Sequence, residues 1–248
     1  TAYRRQRQMC IRDRTYTASI DPCLLSGKFL VLHRILSSIR KHTQDRVIIV
    51  SNFTSTLNLL QRYCVRQKFP FLRLDGRTKA DIRSKMVNEF NSDSGSDHLG
   101  KQPFVFLLSS KSGGVGLNLI GANRLILFDS DWNPATDRQA MARIHRDGQL
   151  KPCFIYRLLL VGSMDEKIYQ RQITKIGLSD SLMSNEAAKD HDVASSSDTF
   201  SQEELRDVFG YHPNTTCLTH DLLGCACGGN GKEVQTPAEE PSLSLIHI

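Results

Sequence analysis

Gln139, Arg143 and Arg146 stand at i, i+4 and i+7 after Pro134. A helix over 134–146 would set an amide and two guanidiniums on one face. Just upstream runs Ser110-Lys111-Ser112-Gly113-Gly114-Val115-Gly116-Leu117-Asn118, whose glycines let backbone amides approach an anion with no Cβ in the way. Arginine forks beside such a turn suit phosphate binding, although the arginines alone would equally suit a solvated basic face. A second constellation is Cys217, His220, Cys225 and Cys227. These four soft ligands can form a tetrahedral zinc site, or else belong to a reduced tail that holds no metal. Asp129, Asp131 and Asp137 have no further group at ligand spacing and read as turn and capping residues. Ser26-Gly27-Lys28 lacks the earlier glycine that a phosphate loop requires, and that reading is rejected.

A frame for these groups comes from apolar runs alternating with amphipathic stretches. Arg46–Val50, Phe71–Leu74, Phe104–Leu108, Arg124–Phe128 and Cys153–Leu160 are strand-sized. The first, RVIIV, is a β-branched run of the kind buried on both faces of a sheet. Helices are predicted over Gly27–Lys41, Thr54–Gln67, Thr78 to about Phe90, Pro134–Arg146 and Ser163–Lys175. Capping boxes open at Thr78, Ser163 and Ser201. The fold class is α/β, an open parallel sheet whose ligands sit at the carboxyl ends of the strands. The loops after Val50, Leu74, Leu108 and Phe128 form the predicted working edge. The expected division is a leader over 1–20, the α/β lobe over 21–176 and a polar linker over 177–200. A helix with the candidate zinc segment follows over 201–230, then a tail over 231–248.

With 248 residues, 40% of them apolar, the chain can bury one large domain with appendages. The net charge is +6, but residues 1–14 alone carry +4 of it, so the basic balance is weak evidence for nucleic acid. The opening YRRQRQMCIRDR and the closing SLSLIHI resemble translated adaptor sequence, and the first residue is Thr1. A piece of a longer protein is expected. No apolar run approaches a membrane span. The arginine-rich start lacks the apolar segment of a secretory signal, though such starts also occur in organellar transit peptides. Seven cysteines, the first four isolated, suit a reducing compartment better than a disulfide framework.

Taken together, SSKSGGVGLNL, ILFDSDWNPATD and QAMARIHRDGQ resemble motif five, its extension and motif six of the SWI/SNF-type helicase-like ATPases. VIIVSNFTSTLNLL and RLDGRT resemble the strand-end segments before them. FLLSSKSGGVGLNLIGANRLILFDSDWNPATD and IYRLLLVGSMDEKIYQRQI are similar to the recombinational-repair branch, the Rad-fifty-four group, and TCLTHDLLGCACG leans toward its B paralogue. The resemblance covers about Gly27 to Gln235.

It implies a C-terminal RecA-like lobe with a C-terminal extension. Arg143 and Arg146 resemble arginine fingers that reach the ATP γ-phosphate from across the interlobe cleft, and Gln139 the glutamine that ties nucleotide state to closure. Gly114, Gly116 and Asn118 fall on the nucleotide side, Asn118 at the ribose-contacting position. Ser51, Asn52, Gly76, Arg77, Ser110 and Lys111 fall where relatives touch the phosphates of one DNA strand, a sequence-independent contact. Trp132 lies in the motif that couples DNA to ATP state; a core anchor for the following helix is the alternative. His145 stands where repair relatives often carry tryptophan, and reads as a packing residue. The zinc segment has the His-x₄-Cys core of the relatives, but Cys225-x-Cys227 departs from their Cys-x-x-Cys.

Neither GxxxxGK[ST] nor an acidic DEAH-like box occurs in the chain. In the family both lie in the other lobe, which supplies the ligands for Mg²⁺, so this chain alone is expected not to hydrolyse ATP. The leading expectation is a nuclear, ATP-dependent translocase on double-stranded DNA in homologous recombination, acting on a RecA-type recombinase filament. A nucleosome-remodelling lobe is the alternative with the same chemistry, and a non-catalytic DNA- or recombinase-binding module is the alternative of another class.

Overall fold

The computed structural model describes residues 26–92, 102–111, 117–184, 206–212 and 217–219, with side chains of the last long helix up to residue 175. Five strands form one sheet: β1 (Val47–Ser51), β2 (Phe71–Leu74), β3 (Val105–Ser109), β4 (Arg124–Leu127) and β5 (Phe154–Arg157). All four pairings are parallel and the spatial order is β2-β3-β1-β4-β5. The helices are α1 (Gly27–His42), α2 (Thr54–Arg66), α3 (Ala80–Asn91), α4 (Pro134–Met141) and α5 (Met164–Ser184).

Side chains alternate across a strand, so the buried run of β1 divides between two cores. Val47 and Ile49 join Phe29, Leu32, Leu36, Leu57 and Leu60 of α1 and α2. Ile48 and Val50 join Phe90, Leu119, Ala140 and Ile144 on the other face. Helices on both faces are what a parallel sheet requires, because both of its surfaces are apolar.

Four local expectations change. Thr78 opens no capping box: Lys79 is the N-cap of α3 with no side-chain cap bond, and the Thr78 hydroxyl accepts instead from Asp75 N–H at 3.2 Å. Around Ser163 the box is shifted. The Ser163 hydroxyl accepts from Asp165 N–H at 3.3 Å, while the Glu166 carboxylate reaches back to Gly162 N–H at 2.8 Å. The helix expected over 134–146 ends at Met141. Leu119 N–H takes the Arg143 carbonyl at 3.2 Å, and the Gln149 amide takes that of Ile144 at 3.2 Å. Arg143 N–H and Ile144 N–H meanwhile bond the carbonyls of Ala140 and Met141, three residues back, both at 3.3 Å, so the α-helical ladder gives way to turns. α5 runs on to Ser184, into the stretch read as linker. The expected capping box at Ser201 lies outside the described residues, while 206–208 are helical.

Candidate nucleotide and DNA site

The chain leaves β1 toward the β2 side of the sheet and leaves β4 toward β5, although the two strands are neighbours. Such a switch point opens a crevice at the carboxyl ends of the strands. Here the Ser51 hydroxyl donates to the Asp129 carboxylate, and the Ser110 hydroxyl donates to the Asn52 side-chain carbonyl. Ser110 N–H bonds the Ser51 carbonyl at 3.1 Å, joining the ends of β1 and β3. Lys28, at the start of α1, donates to the Phe128 carbonyl at 2.9 Å and pairs with Asp165 at 2.6 Å. Burial pushes the Asp129 carboxyl up from its ordinary value, against the Ser51 hydroxyl and the Lys28 charge, which favour ionisation.

Ser51 is fully buried, and its hydroxyl serves Asp129 rather than solvent. Asn52 and Ser110 are half-buried, whereas Gly76, Arg77 and Lys111 are exposed. Arg77 N–H bonds the Asp75 carboxylate at 3.0 Å, which fixes the turn that presents its side chain. The crevice thus carries amides, hydroxyls and two free-reaching cations along one edge.

The loop after β4 is held by its own polar groups. Asp131 accepts from Asn133 N–H at 2.8 Å, and Asn133 caps α4 through Ala135 N–H at 3.0 Å. Asp137, 2% exposed, accepts from Gln172 at 2.8 Å and pairs with Arg157 at 3.3 Å. Burial raises the Asp137 carboxyl despite these partners. The three aspartates therefore do turn, cap and brace work. Trp132 is 43% exposed, so it is not a buried anchor for α4. His145 is exposed as well, rather than packed.

The arginine group is arranged differently from a single helical face. Gln139 lies on α4 and is exposed; Arg146 lies beyond the helix, also exposed, with Nε bonded to the Ala142 carbonyl at 3.2 Å. Arg143 is 6% exposed and its Nη1 has no hydrogen-bond partner. Burial, then Arg146 and Arg83, lower its pKa, though a guanidinium remains charged at neutral pH. Asn118 Oδ1 is likewise buried without a partner. The Asn118 carbonyl is fixed by the Asn91 amide at 2.8 Å, and Asn91 also accepts from Gly121 N–H at 2.9 Å. Gly121 has to be glycine, since a Cβ there would stand 2.3 Å from the Phe90 carbonyl oxygen. Gln149 donates to the carbonyls of Ala122 at 2.8 Å and Ile120 at 3.2 Å. Asn91, Gln149 and Gln172 escaped the sequence reading because their partners are mostly backbone carbonyls remote in sequence.

Gly114 and Gly116 lie outside the described residues, as do His220, Cys225 and Cys227. Cys217 donates to the Glu166 carboxylate at 3.4 Å, and no group of three or more potential ligands occurs among the described residues. Among them, too, no helix is long and apolar enough to cross a membrane.

Residues 27–148 match the helicase conserved C-terminal domain. The chain is 46% identical over 238 residues to the DNA repair and recombination protein RDH54 of Saccharomyces cerevisiae, covering 96% of this chain and 25% of the yeast protein. It is 47% identical over 226 residues to the human DNA repair and recombination protein RAD54B, covering 89% and 23% respectively. The crystal structure of the C-terminal part of the Fun30 ATPase domain matches with a TM-score of 0.57 and 35% identity, over 69% of this chain and 54% of that one. The chain spans about a quarter of the length of the curated relatives it matches. A five-stranded parallel sheet, an arginine group beside a docked loop and these matches agree: the chain belongs to the SWI/SNF-type helicase-like ATPases and carries their helicase C-terminal lobe.

Proposed function

We propose that this lobe is the trans-acting half of an ATP-driven motor that moves on double-stranded DNA during homologous recombination. The observation that carries the reading is Arg143, a buried guanidinium with an unpaired Nη1. Such a group is costly in a folded domain unless an anion joins it, and a phosphate presented by a second lobe supplies that anion. Arg146 adds an exposed charge next to it, and Gln139 reports closure. Asn118, with Gly114 and Gly116, faces the nucleotide edge, while ATP and Mg²⁺ are held chiefly by the other lobe.

Asn52, Gly76, Arg77, Ser110 and Lys111 contact phosphates of one DNA strand, with Ser51 holding the Asp129 carboxylate behind them. Trp132, exposed at the crevice loop, couples the two sites. The partners are double-stranded DNA and a RecA-type recombinase filament, and the setting is nuclear. Cys217, His220, Cys225 and Cys227 form a structural zinc site, for which Cys217 turns from Glu166 to the metal. Metal analysis of the purified chain at neutral pH tests this part, with one zinc per chain expected.

The test of the motor is reconstitution with the complementary lobe. DNA-stimulated ATP hydrolysis is expected only with both lobes present, and Arg143→Ala or Arg146→Ala lowers it by ~10³–10⁵. Full activity in both variants removes the arginine-finger assignment.

A further inference from the structure

Arg83 has no role so far; it is half-buried, but like Arg143 it carries one buried guanidinium nitrogen without a partner. It lies near the start of α3, one helical turn before Val87 and two before Phe90. Val87 and Phe90 belong to the core that also holds Leu119 and Ile144, the chain neighbours of Asn118 and Arg143. Three polar side chains thus stand at the margin of one apolar cluster. Arg83 Nε, Asn118 Oδ1 and Arg143 Nη1 are each buried with no hydrogen-bond partner. Neither arginine takes part in an ion pair among the described residues, and Arg83 and Arg146 both act on the Arg143 charge. Unpaired buried donors and acceptors are rare in folded domains because each has given up its bonds to water.

Among the described residues Ser130 Oγ, on the loop after β4, is the fourth such atom. The three beside this cluster have a sense: two cationic donors and one neutral acceptor. Donors of that kind match phosphate oxygens, and the acceptor matches a hydroxyl hydrogen. A ribonucleotide offers both at once through its phosphates and its ribose. A DNA backbone offers phosphates without the hydroxyl, and the exposed cations Arg77 and Lys111 already serve it. We infer that Arg83 is a further nucleotide-contacting residue, closing with Arg143 and Asn118 a pocket for the phosphate and ribose of ATP. This rests on the proposed function of Arg143 and extends it to an α3 side chain outside the glycine turn and the arginine motif.

Titration calorimetry of this lobe reconstituted with its complementary lobe, using ATP, inorganic tripolyphosphate and a short DNA duplex, tests it. Arg83→Gln is expected to weaken ATP and tripolyphosphate about tenfold and to leave the duplex unchanged. Its melting temperature without ligand stays at or above that of the wild type, because a like charge beside Arg143 is gone. A side chain with only a structural role would lower it. Arg83→Lys, which keeps the charge but lacks Nε–H, guards against misfolding of the glutamine variant and loses most of the same affinity. Asn118→Ala weakens ATP but not tripolyphosphate. Wild-type ATP affinity in both Arg83 variants, with loss in Arg143→Gln, overturns the Arg83 assignment and leaves the motor reading standing. Unchanged affinity in Arg143→Gln and Arg146→Gln, or no tripolyphosphate binding by the reconstituted wild type, overturns both. Loss confined to the duplex assigns Arg83 to DNA and overturns the inference.

Discussion

Glu166 joins two distant parts of the chain through one buried carboxylate. One oxygen takes Gly162 N–H at the start of α5, and the other takes Thr219 N–H at 2.7 Å and the Thr219 hydroxyl at 2.8 Å. Burial opposes its charge, but these bonds outweigh burial and hold the carboxyl below its ordinary 4.5. A depressed carboxyl stabilises the fold fully above its ordinary pKa and loses that contribution as pH falls through the folded value. Glu166→Gln is therefore expected to cost roughly 2–3 kcal/mol at pH 7 and to flatten the acid limb of the stability curve below about 4.5, measured by denaturant unfolding across pH. Asp129 has the opposite sign. Its raised carboxyl withholds stability once ionised, so Asp129→Asn is expected to be more stable than the wild type at neutral pH. That gain fades as pH falls through the raised folded value. A variant less stable at pH 7 would show that the Lys28 charge matters more than burial.

Among the elements, the strands were the most legible. RVIIV announces a strand covered on both sides, and β1 is buried at every position. The arginine segment was less so, because its helical spacing continues past the point where the helix stops. Past Met141 the N–H groups of Arg143 and Ile144 bond carbonyls three residues back, and Leu119 and Gln149 dock on the Arg143 and Ile144 carbonyls; nothing in local spacing encodes such partners. The residue types of the site could be read from sequence, while the burial of Arg143 and of Ser51 could not, since burial depends on what packs over them. Gly121→Ala tests the docking of that loop on α3. Forcing a Cβ against the Phe90 carbonyl is expected to cost about 1–3 kcal/mol in unfolding experiments. It also displaces Asn118, so ATP affinity falls with stability.

At the scale of the molecule, charge placement decides how DNA is held. If the exposed cations Arg77 and Lys111 contact phosphates, duplex affinity falls linearly with the logarithm of salt concentration. Replacing either by alanine reduces the magnitude of that slope by about one and weakens all sequences alike. A slope unchanged in the double variant moves the DNA path elsewhere on the lobe. The sheet order also bears on how the chain is made. Both neighbours of the central strand come later in sequence: Val47 waits for Val105 on one side and Arg124 on the other. β1 and β2, the first two strands, never touch. On the ribosome, a nascent chain that has emerged only as far as α3 therefore holds two bare strands with no sheet between them. Its apolar runs stay open to aggregation until β3 arrives. Protease resistance of stalled nascent chains should accordingly begin only after Ser109 and become complete after β5, making this lobe a customer for chaperones throughout the first half of its synthesis.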